Sequence, residues 1–264
     1  MSRVDKVRLR AAFSRGAAVY EARAVLQAEV ARRVEALARD AAPGAKRALD
    51  VGCGAGSLLG SLRGRRPGLL ATGVDLSLGM ARLSRERLGS GAAVAGDAEA
   101  LPFRGGAFDL VVSTSALQWV AEIERALAEM RRVLAPGGAA CLALFCGDTL
   151  FELREAWRAA LPPGVPASTH TFLSPARLRA AMEGAGLSPS SLEVERRVAR
   201  HPSARDVLES LRAIGAGNAV AGRGGGLGLA RAVSEMARIY EDRHGTCGSV
   251  PATWEIAYAV ARAR

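Results

Sequence analysis

Apolar positions along this chain fall into two alternating periods. From Arg47 onward, short apolar runs, RALDV, LLATGVD, AAVAG, FDLVVS and AACLALF, are each followed by a polar or helix-period segment. Runs of that kind predict strands buried on both faces, and strands alternating with helices predict a parallel sheet covered on both sides. In VAEIERALAEMRRVL the residues Ile123, Leu127, Met130 and Leu134 share one helical face, and APGG is expected to end that helix at Pro136 and Gly137. Ahead of the strands an Ala- and Arg-rich amphipathic helix is predicted from about Val19 to Arg39, broken by Pro43 and Gly44 in AAPGAK.

Past Phe145 the rhythm becomes helical, with a loop LPPGVP, the segment SPARLRAAMEGAGL and a Gly-rich joint GAGNAVAGRGGGLG. The tail TWEIAYAVARAR alternates, which puts Trp254, Ile256, Tyr258 and Val260 on one side of a closing strand. The expected organisation is an N-terminal helical lid segment over 1–43, a ligand-binding core over 44–147, and substrate-side helices with the last sheet strands over 148–264, in the same domain as the core.

Composition removes several classes of function. With 264 residues and 49% hydrophobic positions, the chain suits one α/β domain with a full core. MSRVDKVRLR has no apolar run behind its charges, and no uncharged stretch reaches the ~18 residues of a membrane span, so a soluble, cytoplasmic protein without a membrane partner is expected. The four cysteines lack CxxC pairs or nearby histidines, which favours reduced thiols and no metal site. The net charge is +10, and all but two of the 36 basic residues are arginine, the exceptions being Lys6 and Lys46. No basic run with interleaved aromatics appears, which speaks against nucleic acid and leaves an acidic macromolecule as the better use of the charge.

The candidate chemistry centres on ALDVGCGAGS, where Gly52, Gly54 and Gly56 follow Asp50 at the end of an apolar run. A strand that turns through such glycines brings bare backbone against a ligand. The dinucleotide fingerprint GxGxxG needs its third glycine where Ser57 stands, and Asp50 would repel a pyrophosphate. An acid beside exposed backbone suits a ligand carrying an ammonium group. Two more acids follow successive strands, Asp75 in GVDLSLGM and Asp97 in AGDAEALPF. Open α/β sheets bind ligands along that edge, which makes coincidence improbable. Asp75 has a competing reading as a helix N-cap, with Ser77 its rival for that place. Asp109, at the start of its strand, lies at the opposite edge and is expected to be structural.

From Arg47 to about Phe145 the segment resembles the Rossmann-like class I methyltransferases. The resemblance implies a mostly parallel seven-stranded sheet with helices on both faces and S-adenosyl-L-methionine as cofactor, with S-adenosyl-L-homocysteine as product. It implies Asp50, Gly52, Gly54 and Gly56 at the methionine part, Asp75 with Leu76 at the ribose, and Asp97 with the Ala98 backbone N–H at the adenine.

The flanks AFSRGAAVYEARAVLQAEVARRV, STSALQWV, LREAWRAA, TFLSPARLRAAMEGAGL, VLESLRAIGAGN and GSVPATWEIAYAVARA resemble, in order and spacing, the malonyl-acyl-carrier-protein O-methyltransferases of biotin synthesis. Trp254 stands where that family more often has tyrosine. The resemblance implies methylation of the free carboxylate of a malonyl thioester, on malonyl-acyl-carrier protein or malonyl-CoA. A carboxylate is already ionised near neutral pH and needs no catalytic base, in keeping with isolated His170, His201 and His244, which are expected to be surface or structural. Arg15, Arg212 and Arg154 come from resembling segments as candidates to hold that carboxylate, with Arg212 favoured. Arg15 and Tyr20 are expected to fold over the cofactor and Gln118 to line the acceptor site, while Trp119 is read equally as a neighbour of that site or as core. Two alternatives stay open: a methyltransferase of another small carboxylate such as trans-aconitate, and a non-methylating assembly factor of the same fold.

Overall fold

The computed structural model describes residues 6, 9–11, 24–89, 92–162, 170–214 and 227–264. The apolar runs form β1 (Arg47–Val51), β2 (Leu70–Asp75), β3 (Ala92–Ala95), β4 (Phe108–Thr114) and β5 (Leu134–Phe145), and β6 (Leu187–His201) and β7 (Val250–Ala263) complete the sheet. Between them lie α1 (Val25–Ala41), α2 (Ser57–Arg65), α3 (Leu78–Leu88), α4 (Ile123–Val133), α5 (Phe151–Ala160), α6 (Pro175–Gly184), α7 (Ala204–Ala213) and α8 (Leu227–His244), with a 3-10 turn at Leu117–Trp119.

The strand order is β3-β2-β1-β4-β5-β7-β6. Strands β1 to β5 pair in parallel, while β7 runs antiparallel to both β5 and β6. The order reverses direction between β1 and β4, so a crevice opens at their carboxyl ends, where open sheets bind ligands.

Side-chain alternation sorts the core into two layers. Leu49, Val51, Val111, Leu142 and Leu144 face one side, under α4 and α6. Ala48, Leu110, Val112, Cys141 and Phe145 face the other, under α1 and α2. A third cluster joins α5, α7 and α8 through Leu153, Trp157, Leu211, Met236 and Tyr240. The closing strand behaves as its alternation predicts: Ile256, Tyr258 and Val260 are buried in one layer, with Trp254 packed beside them.

One expectation needs correction, and another lies partly outside the described residues. The helix ending in VAEIERALAEMRRVL stops at Val133, and Leu134 is the first residue of β5, extended at φ −72°, ψ 135° and paired with Phe108. Proline at 136 disfavours helix at Ala135 and its ring would clash with the carbonyl four residues back, so the break falls before the proline. That carbonyl, on Arg132, accepts instead from Gly106 N at 3.0 Å. The predicted helix from Val19 is described only from Val25.

Asp109 is structural in the way its position suggests. One carboxylate oxygen accepts from the Lys46 and Arg47 backbone N–H groups at 3.0 and 2.9 Å, and the other accepts from Arg47 Nη2 at 2.6 Å. The hydrogen bond from the Arg47 guanidinium is the main reason its carboxyl titrates below the usual range. Asp109→Ala is therefore expected to lower the unfolding free energy by about 1–3 kcal/mol near neutral pH. Because the folded pKa is depressed, this contribution is present above about pH 4 and disappears as pH falls through the folded value. Urea unfolding of wild type and variant at pH 7 and at pH 3 checks both the size and the sign.

Candidate active site

The turn between β1 and α2 is built by positive backbone angles. Gly52, Gly54 and Gly56 have φ of 78°, 52° and 81°, a region that side-chain-bearing residues rarely adopt. Each glycine has a different second reason. A Cβ at Gly52 would lie 2.2 Å from Ala116 Cβ, and one at Gly56 would lie 2.6 Å from Ser84 Oγ, so these two let the turn pack on the 3-10 segment and on α3. A Cβ at Gly54 would meet nothing within 4 Å, because that position faces open space.

Two clefts meet at this turn. The first is bordered by Gly52, Gly54, Asp75, Leu76, Asp97 and Ala98. The second is bordered by Asp50, Gly52, Gly54, Gln27 of α1 and Ser115. Gly52, Gly54, Thr114 and Ser115 belong to both, which makes one continuous groove over the carboxyl ends of β1, β2 and β4. Gly56 borders neither and shapes the turn from behind.

The acids along the groove have distinct roles. Asp75 Oδ2 accepts from Gly54 N at 3.0 Å and Oδ1 from Ser77 N at 2.8 Å, so it ties the turn to the second strand. The helix cap is Ser77, whose hydroxyl accepts from Met80 N at 3.3 Å. Burial raises Asp75 and those two N–H groups oppose the rise. Asp97 Oδ1 accepts from Glu99 N at 3.0 Å, and Oδ2 accepts from Lys6 Nζ at 2.6 Å. Lys6 also pairs with Glu99.

Asp50 is different. It is 1% exposed, and its Oδ1 has no hydrogen-bond partner among the described residues. Burial, with the Asp75 charge adding to it, pushes its carboxyl up to about 8. A buried carboxylate lacking an internal cation is costly, and a cationic group delivered to the groove would relieve that cost. The bare backbone at Gly54, the acid pair and the apolar wall of Leu76 and Ala98 fit a nucleoside that carries such a cation.

The acceptor-side expectations separate. Gln118 lies in the 3-10 turn, where Nε2 donates to Ser115 O at 2.8 Å and Oε1 is buried without a partner among the described residues. Trp119 borders the groove and stacks on His170, with ring centroids 4.8 Å apart. Arg212 is exposed in the last turn of α7 and borders neither cleft. Arg15 and Tyr20 lie outside the described residues.

Sequence reasoning missed Lys6, Gln27 and Ser115. Lys6 comes from a segment without a motif, and Gln27 from the front segment AFSRGAAVYEARAVLQAEVARRV, where nothing marks it out from its neighbours. Ser115 carries a signal visible only in the backbone, a positive φ of 53° in a residue with a side chain. Among the described residues, no histidine, cysteine or acid cluster could hold a metal, all four cysteines are free, and no helix is long and apolar enough to cross a membrane.

The raised Asp50 pKa has a consequence for stability. Between the unfolded value near 4 and the folded value of about 8, the folded chain binds one more proton than the unfolded chain. Stability therefore falls as pH rises through that window, opposite in sign to the Asp109 effect. Asp50→Asn is expected to flatten this slope, and denaturant unfolding of both proteins at pH 5, 6.5 and 8 measures it.

Comparison with known proteins agrees with this geometry. Residues 49–142 match the model of a methyltransferase domain family, the span from β1 to the end of β5. Over 266 aligned residues the chain is 42% identical to a malonyl-[acyl-carrier protein] O-methyltransferase of Geobacter sulfurreducens, covering 98% of this chain and 99% of that one. A protein of the same name from Laribacter hongkongensis is 38% identical, covering 96% and 88%. Among solved structures, geranyl diphosphate C-methyltransferase from Streptomyces coelicolor, in complex with magnesium, geranyl diphosphate and S-adenosyl-L-homocysteine, superposes with a TM-score of 0.53. That match covers 87% of this chain and 78% of the other at 16% identity, a likeness of fold. At 42% and 38% identity over nearly the whole of this chain, the chain belongs to the malonyl-[acyl-carrier protein] O-methyltransferase family.

Proposed function

We propose that this protein is an S-adenosylmethionine-dependent carboxyl O-methyltransferase that esterifies the free carboxylate of a malonyl thioester, in the cytoplasm, at an early step of biotin synthesis. The observation that carries the cofactor is Asp50, a buried carboxylate at the lip of a glycine turn whose Oδ1 has no partner among the described residues. The substrate class rests on identity to the malonyl-carrier-protein enzymes across nearly the whole chain.

In this reading Asp50 and the Gly52 and Gly54 backbone meet the methionine part, with Gly56 holding the turn in shape. Asp75 offers two oxygens to the ribose hydroxyls, and Leu76 covers the nucleoside. Asp97 and the Ala98 N–H take the adenine edge, for which Lys6 must yield or share its hold on Asp97 Oδ2. Arg15 and Tyr20 belong to the same end. S-adenosylmethionine, when bound, supplies a methyl group on a positively charged sulfur, which a carboxylate oxygen can take directly.

The protein's own work is positioning. An ionised carboxylate needs no base, and His170 is no candidate for one: burial drops it to about 4. Trp119 and His170 wall the acceptor side and keep water from the oxygen, while Gln118, fixed to Ser115 O through Nε2, leaves its Oε1 for the acceptor or a water. Alignment of that kind can be worth roughly 7–11 kcal/mol.

Turnover assays with labelled S-adenosylmethionine and malonyl-carrier protein, malonyl-CoA and trans-aconitate side by side test the reading. Methyl transfer to a malonyl thioester and none to trans-aconitate is expected, and the two thioesters distinguish carrier protein from coenzyme A. Label on trans-aconitate alone would replace the substrate, and no transfer at all would favour an assembly role. Independently, Asp75→Ala should weaken S-adenosylmethionine binding about 10- to 150-fold, the worth of hydrogen bonds to a charged group, and calorimetry reads it directly.

A further inference from the structure

A buried guanidinium ordinarily has an anion beside it, because the desolvation of its charge is otherwise unrepaid. Arg154, in the first turns of α5, has only a distant one among the described residues. Its side chain is 17% exposed, and its Nε is buried with no hydrogen-bond partner among the described residues. Nη2 makes one long contact, donating to Gly147 O at 3.3 Å, and the nearest carboxylate oxygen, on exposed Asp148, is 3.9 Å away. Burial pulls the Arg154 pKa below the ordinary arginine value and the charge of Arg158 adds to that pull, while Asp148, and less so Glu152 and Glu155, oppose it.

Arg154 borders a separate cleft with Asp148, Glu155, Arg158 and Arg196, and its link to the groove runs through aromatic rings. Helix α5 starts just past the carboxyl end of β5, the sheet edge that carries the groove. The Arg154 guanidinium carbon lies 5.9 Å from the centre of the Phe172 ring. Phe172 packs on His170 at 4.8 Å, and His170 packs on Trp119 at 4.8 Å, which borders the groove. An aromatic wall thus runs from Arg154 to the cofactor's end of the site. Along it, His170 Nε2, Gln118 Oε1 and Ser115 Oγ are also buried without partners among the described residues. Four polar atoms without a protein partner among the described residues thus sit along one wall, a set of donors and acceptors suited to a polar ligand. The planar fork of arginine, set against aromatic faces, selects a carboxylate.

We propose that Arg154 is the residue that holds the acceptor's carboxylate, with the His170 and Gln118 side chains completing the acceptor pocket. This rests on the proposed substrate class and replaces exposed Arg212 in the role. Arg154 is a binding residue here: it pairs with the anion and takes no proton.

The test compares thioesters that differ only in the carboxylate. Malonyl- and acetyl-carrier protein are titrated by calorimetry into wild type, Arg154→Ala, Arg154→Lys and Arg212→Ala, each saturated with S-adenosylhomocysteine to prevent turnover. Wild type is expected to favour the malonyl form about tenfold or more, the scale of one charged hydrogen-bonded pair. Arg154→Ala should bring that ratio close to one while S-adenosylmethionine affinity stays within about twofold. Lysine should restore part of the ratio, since a point charge replaces the fork incompletely. In turnover, Arg154→Ala should raise KM for the malonyl thioester by the same factor. If the alanine variant does not fold, the lysine variant and Arg154→Gln are judged on the same ratio. A wild-type ratio in the Arg154 variants, or a ratio lost only in Arg212→Ala, overturns the assignment. A wild type that fails to methylate malonyl-carrier protein overturns the substrate reading instead, so the two failures are told apart.

Discussion

Everything at this site depends on one electrostatic constraint: the Asp50 carboxyl is sealed into the end of β1 beside a second acid and meets no cation among the described residues. A fold selected for stability alone would place an amide or an apolar residue there. The raised pKa is the energetic signature of a group kept for a positively charged ligand. The surrounding hydrogen bonds spend Asp75 on holding the Gly54 turn in place, so that the groove exists before any ligand arrives.

The sheet makes the constraint possible. Parallel pairing brings the carboxyl ends of β1, β2 and β3 to one edge, with Asp50 beside Gly73 and Asp75 beside Ala95 in the ladder. The reversal of strand order between β1 and β4 opens the crevice, and Ser113 Oγ, donating to Val51 O at 2.7 Å, fastens the two strands next to it. At the opposite edge, Asp109 satisfies the backbone donors where β1 begins. Two acids on neighbouring strands thus perform opposite tasks, and their partners, not their residue type, decide which.

The core strands and the three acids were legible in the sequence because each leaves a local mark, an apolar run ended by glycine or by an acid. Strand β6 leaves none: its outer residues, Glu193, Val194, Arg196 and Val198 among them, are exposed at the sheet edge and read as charged loop or helix. Leu134 was rightly expected to be buried, yet its backbone state depends on Pro136 and on the ladder to Phe108. The acceptor arginine was beyond sequence reasoning for a physical reason. With basic residues as numerous as these, only burial and missing partners distinguish Arg154 from Arg212, and both are properties of packing across distant segments.

The central claim, that Asp50 is held for a cationic ligand, is most directly tested by counting protons. At pH 7 a carboxyl with a pKa of about 8 is mostly protonated, and a positive charge bound beside it must favour the ionised form. S-adenosylmethionine is titrated into the protein at pH 7 in buffers of different ionisation enthalpy, and the slope of the observed heat against that enthalpy gives the protons exchanged. The account predicts release of the larger part of one proton per site in wild type and none in Asp50→Asn. Tight binding with no proton release in wild type would contradict it.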